Sequence, residues 1–408
     1  MRIQFPNNPL VALPLVAVLL LVARGLLGIG YHPDIFPPNY DGRVLYAAGR
    51  AWLHGLDPYK YSDLSRAAAD IPPIASPNPP IGPFAYPPQS GALCVILGTL
   101  PYPVARTIWT ICNLLSLAAI TALAVLMYIR RSNRDRDWGP YVLAAVIIAS
   151  PYTSIVAWMG QTTLIASALT MAAWYFAGER RPLIAGICLG AASFKPQLCL
   201  LVVFWLLLER DWKTLLIAAA SALILALYPM MSQGPIGTFA AWHAGVSAYS
   251  GTDSNLPSWG YSVGLANFLY TVGVTTALPG SVWIGASLLL TLILWLSRRL
   301  VAESDQLPLL TAITFVFLNP IHNYDLAGVA PLFVAILYYA RGNRAALVIS
   351  AILLALLFAP VRGLESAGVP LPNQWRNIAV ILMGTIILVS TLKACRGRVT
   401  KSGIPVGY

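Results

Sequence analysis

The sequence predicts an all-α, polytopic membrane protein. Three observations carry that expectation: 58% of the 408 residues are hydrophobic and only 10% are charged, the mean hydropathy is +0.70, and the apolar residues gather in runs of about spanning length. A water-soluble globule with one core cannot absorb such a composition. The net charge of +11 fits the same class, because multispanning proteins collect Lys and Arg in cytoplasmic loops; no nucleic-acid partner is implied. Cys94, Cys112, Cys188 and Cys199 lie in apolar runs and Cys395 in a basic tail, with neither metal spacing nor a disulfide framework.

Apolar runs fall near 8–29, 104–129, 139–157, 161–177, 183–194, 196–208, 214–231, 279–297, 308–320, 326–340, 344–360 and 375–393, about twelve transmembrane helices. A shorter piece, Gly91 to Leu100, is broken by Pro101 and Pro103 and reads as a re-entrant or tilted helix. Residues 1–30 have no clear cleavage site and read as an uncleaved first helix. Residues 1–408 are expected to form one integral membrane domain.

The basic residues orient it. With the N-terminus cytoplasmic, the inner loops hold 17 of the 26 Lys and Arg, including Arg130, Arg131, Arg134, Arg136, Arg341 and Lys393. Both termini then lie inside a plasma (inner) membrane crossed many times, and loops near 31–90, 232–280 and 361–374 lie outside.

The first outer loop contains NYDGRVLYAAGRAWLHGLDPY, residues 39–59. It reads as an amphipathic helix with Asp41 at its head and Tyr46, Ala47, Trp52 and Leu53 resting on the membrane surface, stopped by Gly55 and turned by Asp57-Pro58. An acid at the water–lipid boundary suits a reaction between a lipid-borne donor and a polar acceptor. Asp41 can equally be a helix cap. Eight prolines between Ile71 and Pro88 predict an extended path afterwards. The second outer loop carries Trp242, His243, Tyr249, Asp253, Trp259 and Tyr261, suited to sugar rings or to an interfacial aromatic belt.

Ionisable and polar groups inside apolar runs are costly and ask for a partner or a task. Lys195 in SFKPQ, Gln161 in WMGQTT, and His322 and Asp325 in NPIHNYD all fall at outer hairpin tips in this topology, on the same side as Asp41. Each has a plainer reading: a snorkelling lysine, a helix–helix hydrogen bond, a helix start with Asp at its cap. Arg24 and Arg106 lie near outer helix ends, where snorkelling is the default. Asp34, Asp41 and Asp325 could hold a divalent metal, but the surrounding cations favour side chains as the charge partners of a phosphate. No P-loop, HExxH or GxSxG motif is present.

The ordered pieces YDGRVLYAAGRAWLHGLDPY, FAYPP, LPYPVARTIWTICNLLSL, GQTTLIASAL and GERRPLIAGICLGAASFKPQLCLLVVFWLLLERDWK span roughly residues 30–215, followed more loosely by NPIHNYDLAGVAPL. Together they resemble the polyprenyl-phosphate-sugar-dependent glycosyltransferases of family 87, of the GT-C fold class, whose members include α-1,2-mannosyltransferases. The resemblance implies that Asp41 is the general base of an inverting transfer, that Lys195 matches a Lys-Pro in a short hairpin, and that Gln161 matches a Gly-Gln turn. Gly42 departs from the pattern, which more often has a bulky apolar residue there.

On this reading a sugar, mannose favoured, passes from a polyprenyl-phosphate donor to a lipid- or glycan-linked hydroxyl at the outer face, without a metal or other cofactor, in cell-envelope synthesis. Lys195, Arg43 and His322 are expected around the phosphate, and Gln161, Asp325, Tyr46 and Tyr86 complete the substrate contacts. The rival classes are a transporter or flippase of a lipid-linked sugar, which should show paired halves of similar hydropathy, and a non-catalytic partner in polysaccharide assembly.

Overall fold

The computed structural model describes residues 39–72, 81–132, 138–274, 278–341 and 343–402. The expected first span at 8–29, with Arg24, His32 and Asp34, lies outside the described residues, as do Arg134 and Arg136. A helix stands at every other predicted run: α1 Tyr40–Leu53, α2 Tyr61–Ala67, α3 Gly91–Gly98, α4 Tyr102–Ser132, α5 Gly139–Ala149, α6 Pro151–Met159, α7 Thr163–Gly178, α8 Pro182–Ala192, α9 Pro196–Leu208, α10 Trp212–Gln233, α11 Pro235–Ser250, α12 Leu265–Thr271, α13 Gly280–Leu296, α14 Glu303–Phe317, α15 Ala330–Ala340, α16 Arg344–Phe358, α17 Val361–Ser366 and α18 Trp375–Ser402. Among the described residues three helices, α4, α10 and α18, are long and apolar enough to cross a membrane. The expected span 139–157 is instead two helices that break at Ser150-Pro151, where proline cannot accept the preceding residue in helical geometry. Counted as one broken span, it makes four.

The described backbone divides into two compact units. One contains residues 39–120 and Pro151–Leu256; the other contains Thr121–Ser150 and the chain from Pro257 onward.

In the first unit α1 is buried in protein, which corrects the expectation that it rests on lipid. Leu45, Ala47 and Ala48 are fully buried, Trp52 is 1% exposed and Tyr46 4%. The cause is a pair of glycines. A Cβ on Gly49 would strike the Cys94 carbonyl, and one on Gly98 would lie 2.7 Å from the Arg50 nitrogen, so α1 and α3 meet backbone to backbone. The short apolar piece at 91–100 therefore spends its hydrophobic surface on α1. Trp52 then packs edge-on to Phe84 at 5.5 Å, which seats the segment after the prolines on the same core. Helix α1 ends as expected: Gly55 is left-handed at φ 70°, and Leu56 N–H reaches the Ala51 carbonyl at 2.8 Å while Gly55 N–H reaches that of Trp52 at 3.1 Å. This is the paired closure that a left-handed glycine permits.

The second unit holds two features that periodicity could not forecast. Strands β1, Ser262–Val263, and β2, Ile321–His322, pair antiparallel with Ser262 opposite His322; two residues are too few to show alternation. Behind them lies a buried amide network: Gln374 Nε2 donates to Asn267 Oδ1 at 2.7 Å and Thr271 Oγ1 at 2.9 Å, Asn377 Nδ2 donates to Gln374 Oε1 at 2.6 Å, and Asn377 Oδ1 accepts from Gly264 N–H at 3.0 Å. It anchors the later half of the second predicted outer loop to the start of α18.

Arg131, counted among the solvated basic residues of an inner loop, is buried beside Asp305; their side chains are 5% and 0% exposed. Tyr339 OH donates to the same carboxylate at 2.6 Å, and the Arg131 guanidinium lies 4.0 Å from the centre of the Tyr338 ring. Desolvating both charges is costly, so breaking the pair costs more than its net attraction. Asp305→Ala should lower unfolding free energy by about 3–5 kcal/mol, and Arg131→Met with Asp305→Leu should recover much of it; thermal unfolding in detergent measures both.

Candidate active site

The site begins at the first turn of α1. The residue in the cap position is Asn39, left-handed at φ 61°, ψ 30°, and its side chain makes no cap hydrogen bond. Asp41 is the second residue of the helix, which sets aside the reading of Asp41 as the N-cap. A carboxylate in this first turn is still favoured by the free N–H groups and dipole of the helix end. Next to it the Tyr40 phenol is pushed up to about 12, by burial first and by the Asp41 charge second.

The start of α1 is docked on the turn 158–163. Asn39 N–H donates to the Trp158 carbonyl at 2.7 Å, and Trp109 Nε1, from α4, donates to the Gly160 carbonyl at 2.6 Å. Gly160 is left-handed at φ 66°, the conformation that turns the chain out of α6. Gln161, 5% exposed, then accepts at its Oε1 from Tyr86 OH at 3.3 Å and from the Thr162 N–H at 3.2 Å. Thr162 Oγ1 donates to Tyr86 OH at 3.3 Å. Thr163 Oγ1 accepts from Lys195 Nζ at 2.6 Å.

Lys195 is 4% exposed, which excludes a side chain reaching out to bulk water. Pro196 opens α9 directly after it, and its ring fixes the turn between α8 and α9. Gln89 Nε2 donates to the Ser193 carbonyl of that same turn at 2.9 Å. Four predicted site residues, Asp41, Tyr86, Gln161 and Lys195, are thus tied to a single six-residue turn. Sequence reasoning passed over Asn39, Gln89 and Thr163; the polar run Gln161-Thr162-Thr163 between two apolar helices was the available signal.

Arg43 and Tyr46 face the protein interior. Arg43, 8% exposed, donates from Nη1 to the Pro72 carbonyl at 2.8 Å and lies 5.5 Å from the Tyr102 ring centre. Tyr46 OH donates to the Leu100 carbonyl at 3.0 Å.

His322 and Asp325 belong to the second unit. There they close a short 3₁₀ turn, Asn323–Gly328, reciprocally: the Asp325 carboxylate accepts from the His322 N–H at 3.1 Å, and the His322 side chain accepts from the Asp325 N–H. This is the helix-start geometry that the plainer reading of NPIHNYD expected. The His322 ring also packs against Tyr324 at 5.0 Å, and Asn323 N–H donates to the Tyr261 carbonyl at 2.8 Å, which brings an aromatic of the predicted second outer loop beside this turn. Among the described residues no group of three His, Cys, Asp or Glu is placed to hold a metal ion.

Residues 84–320 match the model of glycosyltransferase family 87, more than half of the 408 residues. The chain belongs to glycosyltransferase family 87. The matched region contains Tyr86, Gln161 and Lys195, starts after Asp41 and ends just short of His322. Among solved structures the chain is similar to ArnT from Cupriavidus metallidurans bound to undecaprenyl phosphate, at 16% identity and a TM-score of 0.35 over 96% of this chain and 79% of that one. No curated protein matches it.

Because Asp41 is the second cause of the raised Tyr40 pKa, Asp41→Asn should bring that phenol down, yet leave it above the usual tyrosine value near 10 because burial remains. Ultraviolet titration of tyrosinate, taken as the difference from Tyr40→Phe in each background, measures the change.

Proposed function

We propose that this family 87 protein transfers a sugar, mannose favoured, from a polyprenyl-phosphate donor to a hydroxyl of a lipid- or glycan-linked acceptor at the outer face of a plasma (inner) membrane, as one multi-pass domain with both termini cytoplasmic. Asp41 is the general base. It takes the proton of the acceptor hydroxyl as that oxygen bonds to the anomeric carbon from the face opposite the donor phosphate. The bond from the anomeric carbon to phosphate oxygen breaks, the phosphate leaves with the electron pair, and the configuration inverts. A neutral hydroxyl is a weak nucleophile, so a positioned base contributes roughly 10²- to 10⁴-fold.

The observation that supports this reading is the 158–163 turn, which receives the helix end bearing Asp41 through the Asn39–Trp158 bond and holds Lys195 through Thr163. A buried ammonium already aimed by a hydroxyl suits the charge that grows on a departing phosphate, since it needs no reorganisation when that charge appears. Gln161 and Tyr86, held on the same turn, are assigned to substrate hydroxyls. With cationic side chains meeting the charge, no metal or other cofactor is called for.

Purified protein in nanodiscs, given radiolabelled decaprenyl-phosphomannose and the matching glucosyl and arabinosyl donors with octyl glycosides as acceptors, tests the reading. Wild type should transfer at least one sugar with inversion, and EDTA should leave the rate unchanged. Asp41→Asn should fold and retain the donor while kcat falls by about 10² or more. Undiminished turnover by Asp41→Asn rejects the base assignment, and an EDTA-sensitive rate rejects the metal-free one.

A further inference from the structure

We propose that Asn39 is a positioning residue for Asp41, acting through a clamp formed with Gly42, Gly160 and Tyr102; the inference rests on the role of Asp41 as base. Four observations converge on it. Asn39 is held in the left-handed region at φ 61°, which asparagine tolerates better than other residues with a side chain. It is 6% exposed, and its Nδ2 donates to Tyr102 OH at 3.2 Å. Its amide fills the space where side chains at 42 and 160 would stand, because a Cβ on Gly42 or on Gly160 would collide with Asn39 Oδ1. Its backbone N–H is the group that docks on Trp158.

Tyr102 is the fixed point of the clamp. It takes the Asn39 amide on its hydroxyl, the Arg43 guanidinium over its ring at 5.5 Å and the Tyr46 ring edge-on at 5.2 Å. Arg43 and Tyr46 share one face of the helix, Asn39 reaches the same tyrosine from the cap position, and all three side chains are less than 9% exposed. That grip on one face sets the roll of α1 about its own axis. Asp41 stands roughly 200° round the helix from Arg43, at 3.6 residues per turn, and unlike Asn39 and Arg43 it is only partly buried. Rotation of the first turn would therefore carry the Asp41 carboxylate sideways. Such a displacement lowers the rate of a step that needs an aligned base while leaving donor affinity intact.

The test uses wild type, Asn39→Gly, Tyr102→Phe, Asp41→Asn and the double variant Asn39→Gly/Asp41→Asn in nanodiscs. Turnover is read with decaprenyl-phosphomannose and octyl α-mannoside, and donor-site occupancy with decaprenyl phosphate by native mass spectrometry. Asn39→Gly keeps the left-handed backbone and removes only the amide, and Tyr102→Phe keeps the ring and removes only the acceptor. Both should lower kcat, Asn39→Gly by about ten- to a hundredfold, with KM for the donor and decaprenyl phosphate binding unchanged. Asn39→Gly should cost nothing further once Asp41 is Asn. Wild-type kcat in both single variants overturns the inference, as does a parallel loss of kcat and donor binding, or a full additional loss in the double variant. If Asn39→Gly does not fold, Tyr102→Phe decides alone. Full turnover by Asp41→Asn instead sinks the base assignment, and the positioning role with it; a dead Asp41→Asn beside an active Asn39→Gly sinks the positioning role alone.

Discussion

One six-residue turn, Trp158 to Thr163, organises the first unit. It accepts the Asn39 amide and the Trp109 indole on carbonyls, takes Tyr86 on the Gln161 side chain, and offers the Thr163 hydroxyl to Lys195. Residues from five separate stretches of chain, 39, 86, 109, 161–163 and 195, consequently share a single reference point. Loops are usually the mobile part of a scaffold; here the buried polar groups are paired around one, and Thr162 and Thr163 are fully buried. The turn is therefore part of the core as well as part of the site.

Buried charge is handled in two ways in the two units. In the second, Arg131 is matched by a carboxylate and two tyrosine rings, an arrangement that is complete in itself and fixes the end of α4 to α14 and α15. In the first, the Thr163 hydroxyl and the Pro72 carbonyl are among the groups that hold Lys195 and Arg43.

The helices were readable because runs of aliphatic residues bounded by Arg, Lys, Pro and Gly leave few other choices; α4 and α10 fall within a few residues of their expected bounds, and α18 starts where expected but runs on to Ser402. Gln161 and Lys195 were readable because polar side chains between apolar helices stand out against their neighbours. The burial of α1 was not. Its pattern of Tyr46, Ala47, Trp52 and Leu53 describes an apolar face but not what covers it, and the covering element, α3, is recognisable only through Gly49 and Gly98, whose meaning depends on their meeting. The pairing of Arg131 was not readable for a related reason: a charge-counting rule reports which side of the membrane a loop occupies and is silent on a carboxylate 174 positions further along the chain. The helix start in NPIHNYD, with Asp325 near its cap, was anticipated; the reciprocal part played by the His322 side chain was not.

The contacts around Gly42 account for the glycine without reference to catalysis: the space a larger side chain would take is filled by the Asn39 amide. Positions 39, 42 and 160 are thus one steric unit distributed over two distant segments. A valine or leucine at the second position requires something slimmer at the first, or a wider bend at the third. Exchanging residues 39–42 along with the 158–163 bend moves both halves of the fit together.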